Sequence, residues 1–214
     1  MSRSSRKKRS FQTSFRPRSI FFETLEDRSL LAIDLVSAVH PDLRSLTANH
    51  DSLNSVVSAD GQYVVFESKA GDLVPGDKSS ATDIFRRNLL TGEVELVSGG
   101  ATDVRIGNST NPAISADGKF VVFASSASNL IHGETHSSPG IYLRNMQTST
   151  ITLVSTDQNE TPTSANVTST SISADGRYVA FASSDTQVDS RDTNNTSDIY
   201  LKDTVTGELT LVSV

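Results

Sequence analysis

The chain contains no cysteine among its 214 residues. The missing thiols exclude disulfide frameworks, zinc-thiolate centres and cysteine nucleophiles. Long apolar runs are missing as well, and no segment approaches the length that is needed to cross a bilayer. Aromatic residues contribute 6% of the chain and all hydrophobic residues only 36%. This composition, rich in Ser, Thr, Asn and Asp, suits short strands joined by polar turns better than long helices.

The charge is distributed unevenly along the chain. Residues 1–32 carry a formal charge of +5, whereas residues 33–214 carry −11. The acidic body has no basic stripe that would neutralise phosphate groups, so nucleic-acid binding is not expected. The sequence therefore divides into a basic leader over 1–32, predicted to be a disordered arm or part of an export signal, and a folded body over 33–214.

The sequence motifs of common enzymes are absent. There is no Gly-x-Ser-x-Gly nucleophile turn and no glycine-rich phosphate loop. The segment HGETH brings His132, Glu134 and His136 together, but its spacing is not that of the His-Glu-x-x-His zinc motif. We therefore expect a protein that is not an enzyme and that has no organic cofactor.

One phrase recurs at a fixed spacing in the body of the chain. Ser-Ala-Asp-Gly begins at Ser58, Ser115 and Ser173, and Leu-Val-Ser follows each copy and also occurs once before the first. Within the three units, both phrases return at intervals of 57 and 58 residues. Two markers that share one period indicate a structural unit that is repeated three times.

Each unit is predicted to contain four β-strands. An Asp-Gly pair between two apolar runs is a strong hairpin signal, because glycine accepts the positive φ of such turns. The second run is apolar throughout, as in a strand covered on both faces, whereas the fourth run alternates and has one wet side. The predicted strands are 55–57, 63–66, 84–86 and 94–96 in the first unit, 112–114, 120–123, 141–143 and 151–153 in the second, and 170–172, 178–181, 199–201 and 209–211 in the third.

A four-stranded sheet with buried inner strands, stacked face to face on its neighbours, is a propeller blade. The phrases Ser-Ala-Asp-Gly-x-Tyr-Val-x-Phe and Asp-Ile-Phe/Tyr, and the Thr-Gly before the fourth strand, resemble those of TolB-like, WD-like β-propeller repeats. The resemblance covers about residues 33–214 and implies an all-β fold. The blades are expected at about 54–98, 111–155 and 169–213, with an orphan strand at about 33–37.

Three blades do not easily close a ring, since closed propellers have about 4–8 blades. The sequence leaves three alternatives open. The chain is a fragment of a larger propeller, or it forms an open arc, or it forms a homodimer that completes a six-bladed ring. In an open arc, the outer faces of the first and last blades are predicted to expose apolar residues.

The leader carries a resemblance of its own. Many planctomycete extracellular proteins begin with a basic stretch followed by a sequence close to L-E-P-R-x-L-L. This sequence is matched by Leu25, Glu26, Arg28, Leu30 and Leu31, with Asp27 where proline is usual. The resemblance implies export, and hence a secreted or cell-envelope location. The alternative is a short amphipathic helix that packs at the edge of the domain.

Binding residues are predicted on the face of the propeller that carries the long connections. In an up-and-down sheet, the connections between second and third strands and those between blades emerge on the same face. The former are the loops 69–82, 126–139 and 184–197, of fourteen residues each. Binding residues concentrate on loops held by a rigid scaffold, so this face is the candidate binding surface. The alternative is that the loops merely cover the blade ends.

Two of these loops carry a recurrent acidic pattern. It consists of Asp77, Ser79 and Asp83 in the first unit and of Asp192, Asn194 and Asp198 in the third, with Glu134, His136 and Gly140 at the matching positions of the second. Carboxylate and amide oxygens are ligands of Ca²⁺, so a Ca²⁺ site is one interpretation. Turn chemistry is the other, because a full site needs about 6–8 oxygen ligands and only part of such a set is visible.

Taken together, the sequence favours a non-enzymatic, exported β-propeller module with a binding or structural role at the cell envelope. Its partner is expected to be a protein or a glycan, with no role for nucleic acid and no transmembrane segment. Two alternatives stay open, namely an accessory propeller piece of a peptidase-type hydrolase system and a Ca²⁺-stabilised surface protein.

Overall fold

The computed structural model describes residues 47–77, 79–99, 107–131, 139–163 and 169–213. Within these ranges the regular structure is entirely β-strand and forms three antiparallel sheets of four strands each. The leader, the orphan strand at 33–37 and the HGETH segment lie outside the described residues. The strands are β1 (Ser52–Val57), β2 (Tyr63–Ser68), β3 (Asp83–Asn88), β4 (Val94–Leu96), β5 (Ser109–Ile114), β6 (Phe120–Ser125), β7 (Gly140–Asn145), β8 (Thr150–Leu153), β9 (Thr170–Ile172), β10 (Tyr178–Ser183), β11 (Asp198–Asp203) and β12 (Leu209–Leu211).

The strand order confirms the repeat unit that the sequence predicts. Each sheet pairs its strands in chain order, β1 to β4, β5 to β8 and β9 to β12, and we call these sheets blades 1, 2 and 3. The predicted all-β class and the four-stranded blades are therefore correct. The first strands of blades 1 and 2 begin three residues earlier than predicted, because they continue across a β-bulge. The bulges contain Asn54 and Asn111 at φ 50° and 54°, and asparagine tolerates this left-handed conformation.

The Ser-Ala-Asp-Gly phrase forms the turn between the first two strands of every blade. In blade 1 the Ser58 hydroxyl donates to Asp60 Oδ1 at 2.5 Å and accepts the Tyr63 N–H at 3.0 Å. Asp60 Oδ1 also accepts the Gln62 N–H at 2.9 Å, and Gly61 has φ +69°. The same bonds recur at Ser115 and Ser173. The phrase thus fixes a tight hairpin, as predicted, and its polar groups are used within the turn.

The blades stack on one another in chain order. We call the side of a blade that faces the following blade its forward face, and the opposite side its rear face. Each forward face packs on the rear face of the next blade, and the stacking buries the central strands on both sides. The first contact buries Val65, Ile84 and Val97 against Val121, Phe123 and Tyr142, and the second buries Val122, Ile141, Leu143 and Val154 against Val179, Phe181, Tyr200, Leu209 and Leu211.

The forward face of blade 3 is an open end of the stack. Ile199 on the forward face of blade 3 is 39% exposed, whereas its repeat equivalents Ile84 and Ile141 are both 0% exposed. Val212 is 51% exposed on the same face. The prediction of an apolar outer face on the last blade is therefore confirmed.

The outer face of blade 1 differs from this prediction over most of its area. Phe66 and Phe85 stack on this rear face with ring centroids 5.9 Å apart, and both side chains are buried, in a cluster with Leu73 of the adjoining loop. Among the described residues of this face, the exposed apolar side chain is Val57, at the end of β1, which is the first and inner strand of the blade. The prediction for the first blade is thus correct at its inner end and wrong elsewhere on this face, because the loop folds onto the sheet.

Candidate functional site

The long connections have the length and position that the sequence predicts. They join β2 to β3, β6 to β7 and β10 to β11 across 69–82, 126–139 and 184–197. Antiparallel order places these connections at one end of every blade and the tight turns at the other. The face with the long connections therefore remains the first candidate for a binding surface, by position alone.

Within this face, the acidic residues near the middle of the loops make local turn contacts. Asp77 Oδ1 accepts the Ser79 N–H at 2.9 Å, and Asp192 Oδ1 accepts the Asn194 N–H at 3.2 Å. Asp192 Oδ2 also accepts the buried Tyr200 hydroxyl at 2.8 Å. Burial and then the neighbouring Asp192 raise the pKa of Tyr200 strongly, since an anionic phenolate would be unfavourable there.

The carboxylates at the loop ends of blades 1 and 3 belong to a hydrogen-bond relay that runs from carboxylate to serine to main-chain N–H. Ser98 donates to Asp83 Oδ1 at 2.7 Å and accepts the Ile84 N–H at 3.0 Å. Ser213 bridges Asp198 and the Ile199 N–H in the same way, at 2.6 and 2.9 Å. The relay fixes the last residue of Leu-Val-Ser against the start of the third strand. Sequence reasoning used this phrase only as a repeat marker and missed the capping role of its serine.

The structure thus places Asp77 and Ser79 in one long loop, with Asp83 at the start of β3, and Asp192 and Asn194 in another, with Asp198 at the start of β11. Several of their oxygens are engaged in turn or relay bonds. No group of three or more His, Cys, Asp and Glu side chains that would hold a metal ion occurs among the described residues. Ca²⁺ binding by these residues stays a prediction.

A second candidate is a groove of about 440 Å³ at the boundary between blades 2 and 3. One side is strand β8, and the other side is the β11–β12 turn with Val205 and Gly207. Between them lies the connection from blade 2 to blade 3, which folds back on itself through a bridge between Thr156 and Pro162. The groove therefore combines an apolar strand edge with exposed backbone turns.

Lys202 is the buried cation of this groove. Its side chain is in β11, the residue is only 6% exposed, and Nζ donates to Thr156 Oγ1 at 2.9 Å. An ammonium group has three N–H donors, and Nζ reaches no other acceptor among the described residues. Burial lowers the pKa of Lys202, while the negative charges of Glu160 and Asp157 act in the opposite direction. Lys202 thus offers N–H donors to the groove from a position that is largely shielded from water.

Lys202 occupies a position that is basic in every blade. Its equivalents are Arg87 and Arg144, at the same intervals of 57 and 58 residues. Arg144 Nη1 donates to the carbonyl of Gly99 at 3.1 Å, and Gly99 matches Thr156 in the repeat. The shorter Lys202 reaches the equivalent residue but bonds the Thr156 hydroxyl rather than a main-chain carbonyl, and it lacks the wide guanidinium fork. The sequence analysis missed this residue, although a cation that recurs in so acidic a body is a visible signal.

A well-defined ion pair stands beside the groove. Arg177 Nη2 lies 2.6 Å from Asp203 Oδ2, and Asp203 also accepts the N–H groups of Val205 and Thr206 at 2.9 and 3.2 Å. The Arg177 guanidinium, followed by these N–H donors, holds the pKa of Asp203 far below its ordinary value. Asp203 therefore stays anionic and orders the turn that forms one groove wall.

Similarity to known proteins identifies the fold of the chain but no activity. No family model matches the sequence, and neither does any curated protein. Among solved structures, TolB from Acinetobacter baumannii is similar, with a TM-score of 0.50 and 19% identity over 78% of this chain and 33% of the TolB chain. The fold is that of a TolB-like β-propeller.

Two further solved structures are similar to the chain. They are a putative TolB from Agrobacterium tumefaciens, with TM-score 0.48 and 14% identity over 80% of this chain and 48% of that one, and the β-propeller domain of the Trilobed protease from Pyrococcus furiosus, with TM-score 0.48 and 16% identity over 76% and 42%. The chain spans a third to a half of the length of these three solved chains. Its three stacked blades form an incomplete propeller. The described residues include no helix that is long and apolar enough to span a membrane.

Proposed function

We propose that this TolB-like propeller is a non-enzymatic, extracytoplasmic binding module that takes a peptide or glycan segment of a partner into the groove between blades 2 and 3. The observation that carries the proposal is Lys202, a buried ammonium group that lines a groove and uses one of its donors internally. Leaving a buried donor unsatisfied is unfavourable, so a partner that supplies an acceptor gains a charge-assisted hydrogen bond.

The lining of the groove supports a polymeric partner of mixed polarity. The apolar side chains Ile151, Leu153 and Val205 lie near the polar groups of Lys202 and Glu160. Binding sites commonly join an apolar lining with a few placed polar groups that fix orientation. Carbonyl, carboxylate or hydroxyl oxygens of a peptide or glycan would meet Lys202, while aliphatic parts or sugar faces would cover the strand edge.

The proposal is tested by probing peptide and glycan arrays with the purified full chain. We expect array signals that fall at least about tenfold in Lys202→Met, which keeps the apolar stem and removes the donors. The matched control is Lys119→Met, because Lys119 is a half-exposed lysine that pairs with Asp117 at 2.7 Å in a tight turn. Val205→Trp, at a 75% exposed position on the groove wall, should block the same probes without disturbing the core.

Equal array signals for the parent, Lys202→Met and Val205→Trp would overturn the groove as the binding site. Turnover of any bound peptide or glycan by the parent chain would overturn the non-enzymatic part of the proposal. The extracytoplasmic part draws support from the basic leader and its resemblance to an export motif. Recovery of the full chain only from the cytoplasm, in fractionated cells of its source, would overturn that part.

Ca²⁺ binding at Asp77, Ser79 and Asp83, and at Asp192, Asn194 and Asp198, is a separate proposal. If the loops bind Ca²⁺, the midpoint of thermal unfolding should rise with millimolar Ca²⁺ and return with chelator, because a ligand of the native state stabilises it. A midpoint that does not respond would refute the site. An accessory role beside a hydrolase stays a prediction.

A further inference from the structure

We call the part of each blade that contains its first strand and the Ser-Ala-Asp-Gly turn the inner end. At this end, blades 1 and 2 each contact the next blade through an aromatic ring that lies on a glycine. Tyr63, the first residue of β2, faces Gly118 in the turn of blade 2, where an added Cβ would lie 2.2 Å from the ring. Phe120 faces Gly176 of blade 3 in the same way, at 2.3 Å. A larger residue would collide with the ring, so the pairing of ring and glycine is part of both contacts between blades.

The two ends of the stack each hold one half of this pair. Tyr178 is the third aromatic residue of the series, on the forward face of blade 3, and it is 37% exposed. Gly61 is the third glycine, on the rear side of blade 1, and no atom of the described residues lies within 4 Å of an added Cβ there. Val57 beside it is 57% exposed, although its equivalent Ile114 is only 9% exposed. Among the described residues, Tyr178 thus has no glycine opposite its ring, and Gly61 has no aromatic ring opposite it.

The main-chain hydrogen bonds between turns show the same complementarity. The Asp60 N–H donates to the carbonyl of Ala116 at 3.2 Å, and the Ala116 N–H donates to the carbonyl of Ala174 at 2.9 Å. Within the described part of the chain, the Ala174 N–H and the Ala59 carbonyl make no such bond. A donor is thus left at the forward end of the stack and an acceptor at the rear end.

We propose that a second copy of this chain docks head to tail, with Tyr178 of one copy on Gly61 of the other and the Ala174 N–H on the carbonyl of Ala59. Two such contacts, related by a two-fold axis, place six blades in a ring. Phe66 and Phe85 are already buried, so the contact is confined to the inner end of the rear face of blade 1. The proposal does not rest on the groove, and Lys202→Met should leave association unchanged.

The arrangement is tested by measuring the mass of the full chain by light scattering from about 1 to 100 µM. We expect association into two copies of the 22.9-kDa chain. Gly61→Asn should raise the dissociation constant at least about tenfold, because asparagine accepts positive φ but fills the place of the ring. Gly92→Asn is the matched control, since Gly92 has φ +76° in the β3–β4 turn and its nearest neighbour is 3.8 Å from an added Cβ. Tyr178→Ala should weaken association as Gly61→Asn does.

Mixing distinguishes the head-to-tail contact from other ways of pairing. A Gly61→Asn copy keeps an intact blade 3, and a Tyr178→Ala copy keeps an intact blade 1, so the mixture should form a heterodimer that neither variant forms alone. A monomeric parent over the whole concentration range would overturn the proposal. So would association that is lost in Tyr178→Ala but kept in Gly61→Asn, because two copies of blade 3 would then face each other.

Discussion

Replacing Ile141 with alanine should lower the free energy of unfolding by about 2–5 kcal/mol, the usual cost of emptying a well-packed core position. Ile141 is 0% exposed and belongs to the cluster that joins blades 2 and 3. The substitution removes three methyl or methylene groups and leaves a cavity between two sheets that cannot easily close. Urea unfolding followed by circular dichroism gives the change from the shift in midpoint at constant slope.

Ile199 supplies the matched control, because it occupies the same position in blade 3 and is 39% exposed. Ile199→Ala should cost less than about 1 kcal/mol in protein diluted to the monomer, since much of the side chain is already in water. Equal losses for Ile141→Ala and Ile199→Ala would contradict the open end of the stack. They would mean that the forward face of blade 3 is covered even in dilute solution.

Gly176→Ala is expected to have a comparably large effect, a loss of about 2–5 kcal/mol from backbone strain together with overpacking. Gly176 has φ +78°, and its added Cβ would lie 2.3 Å from Cδ2 and 2.7 Å from Cγ of Phe120. The ring would have to move as a whole, and it packs against the cluster between blades 2 and 3. Chemical unfolding measures the loss.

Gly61→Ala separates the two causes. Gly61 has nearly the same φ, +69°, but an added Cβ would have no atom of the described part of the chain within 4 Å. Its loss should be limited to the cost of placing alanine in the left-handed region, about 1–2 kcal/mol. If Gly176→Ala and Gly61→Ala lower the free energy of unfolding equally in the diluted chain, the contact between Phe120 and Gly176 contributes nothing to stability. The docking of a second copy at Gly61, which is proposed by analogy with that contact, would then have no support.

The repeat phrases were sufficient to predict the local structure. Ser58 bonds both Asp60 and Gly61 within four residues, through its hydroxyl and its carbonyl, so the turn depends little on the rest of the chain. The same holds for the apolar strand that starts at Tyr63, whose burial on both faces follows from its composition. The bulge at Asn54 was missed, because an asparagine in the left-handed region has no signal in a single strand pattern.

The candidate site was harder to find, because it joins residues that are distant in the sequence. Lys202 and Thr156 are 46 positions apart and meet only when blade 3 stacks on blade 2. The loop carboxylates instead suggested a Ca²⁺ site from the sequence, because closely spaced Asp and Asn residues are typical of Ca²⁺-binding loops. Short spacing also favours local bonds, and Asp77 makes such a bond with the Ser79 N–H. Asp83 and Asp198 are instead bonded to Ser98 and Ser213, each fifteen positions away in the chain.

The sequence by itself determined the period, the four strands of each unit and the tight Ser-Ala-Asp-Gly turns, because these depend on contacts between near neighbours in the chain. Only the tertiary structure decided which of three equivalent positions is buried. Ile84, Ile141 and Ile199 have the same residue type and the same local setting, yet only the last is exposed. Burial depends on whether another blade follows in space, and that is a property of the stack rather than of the repeat.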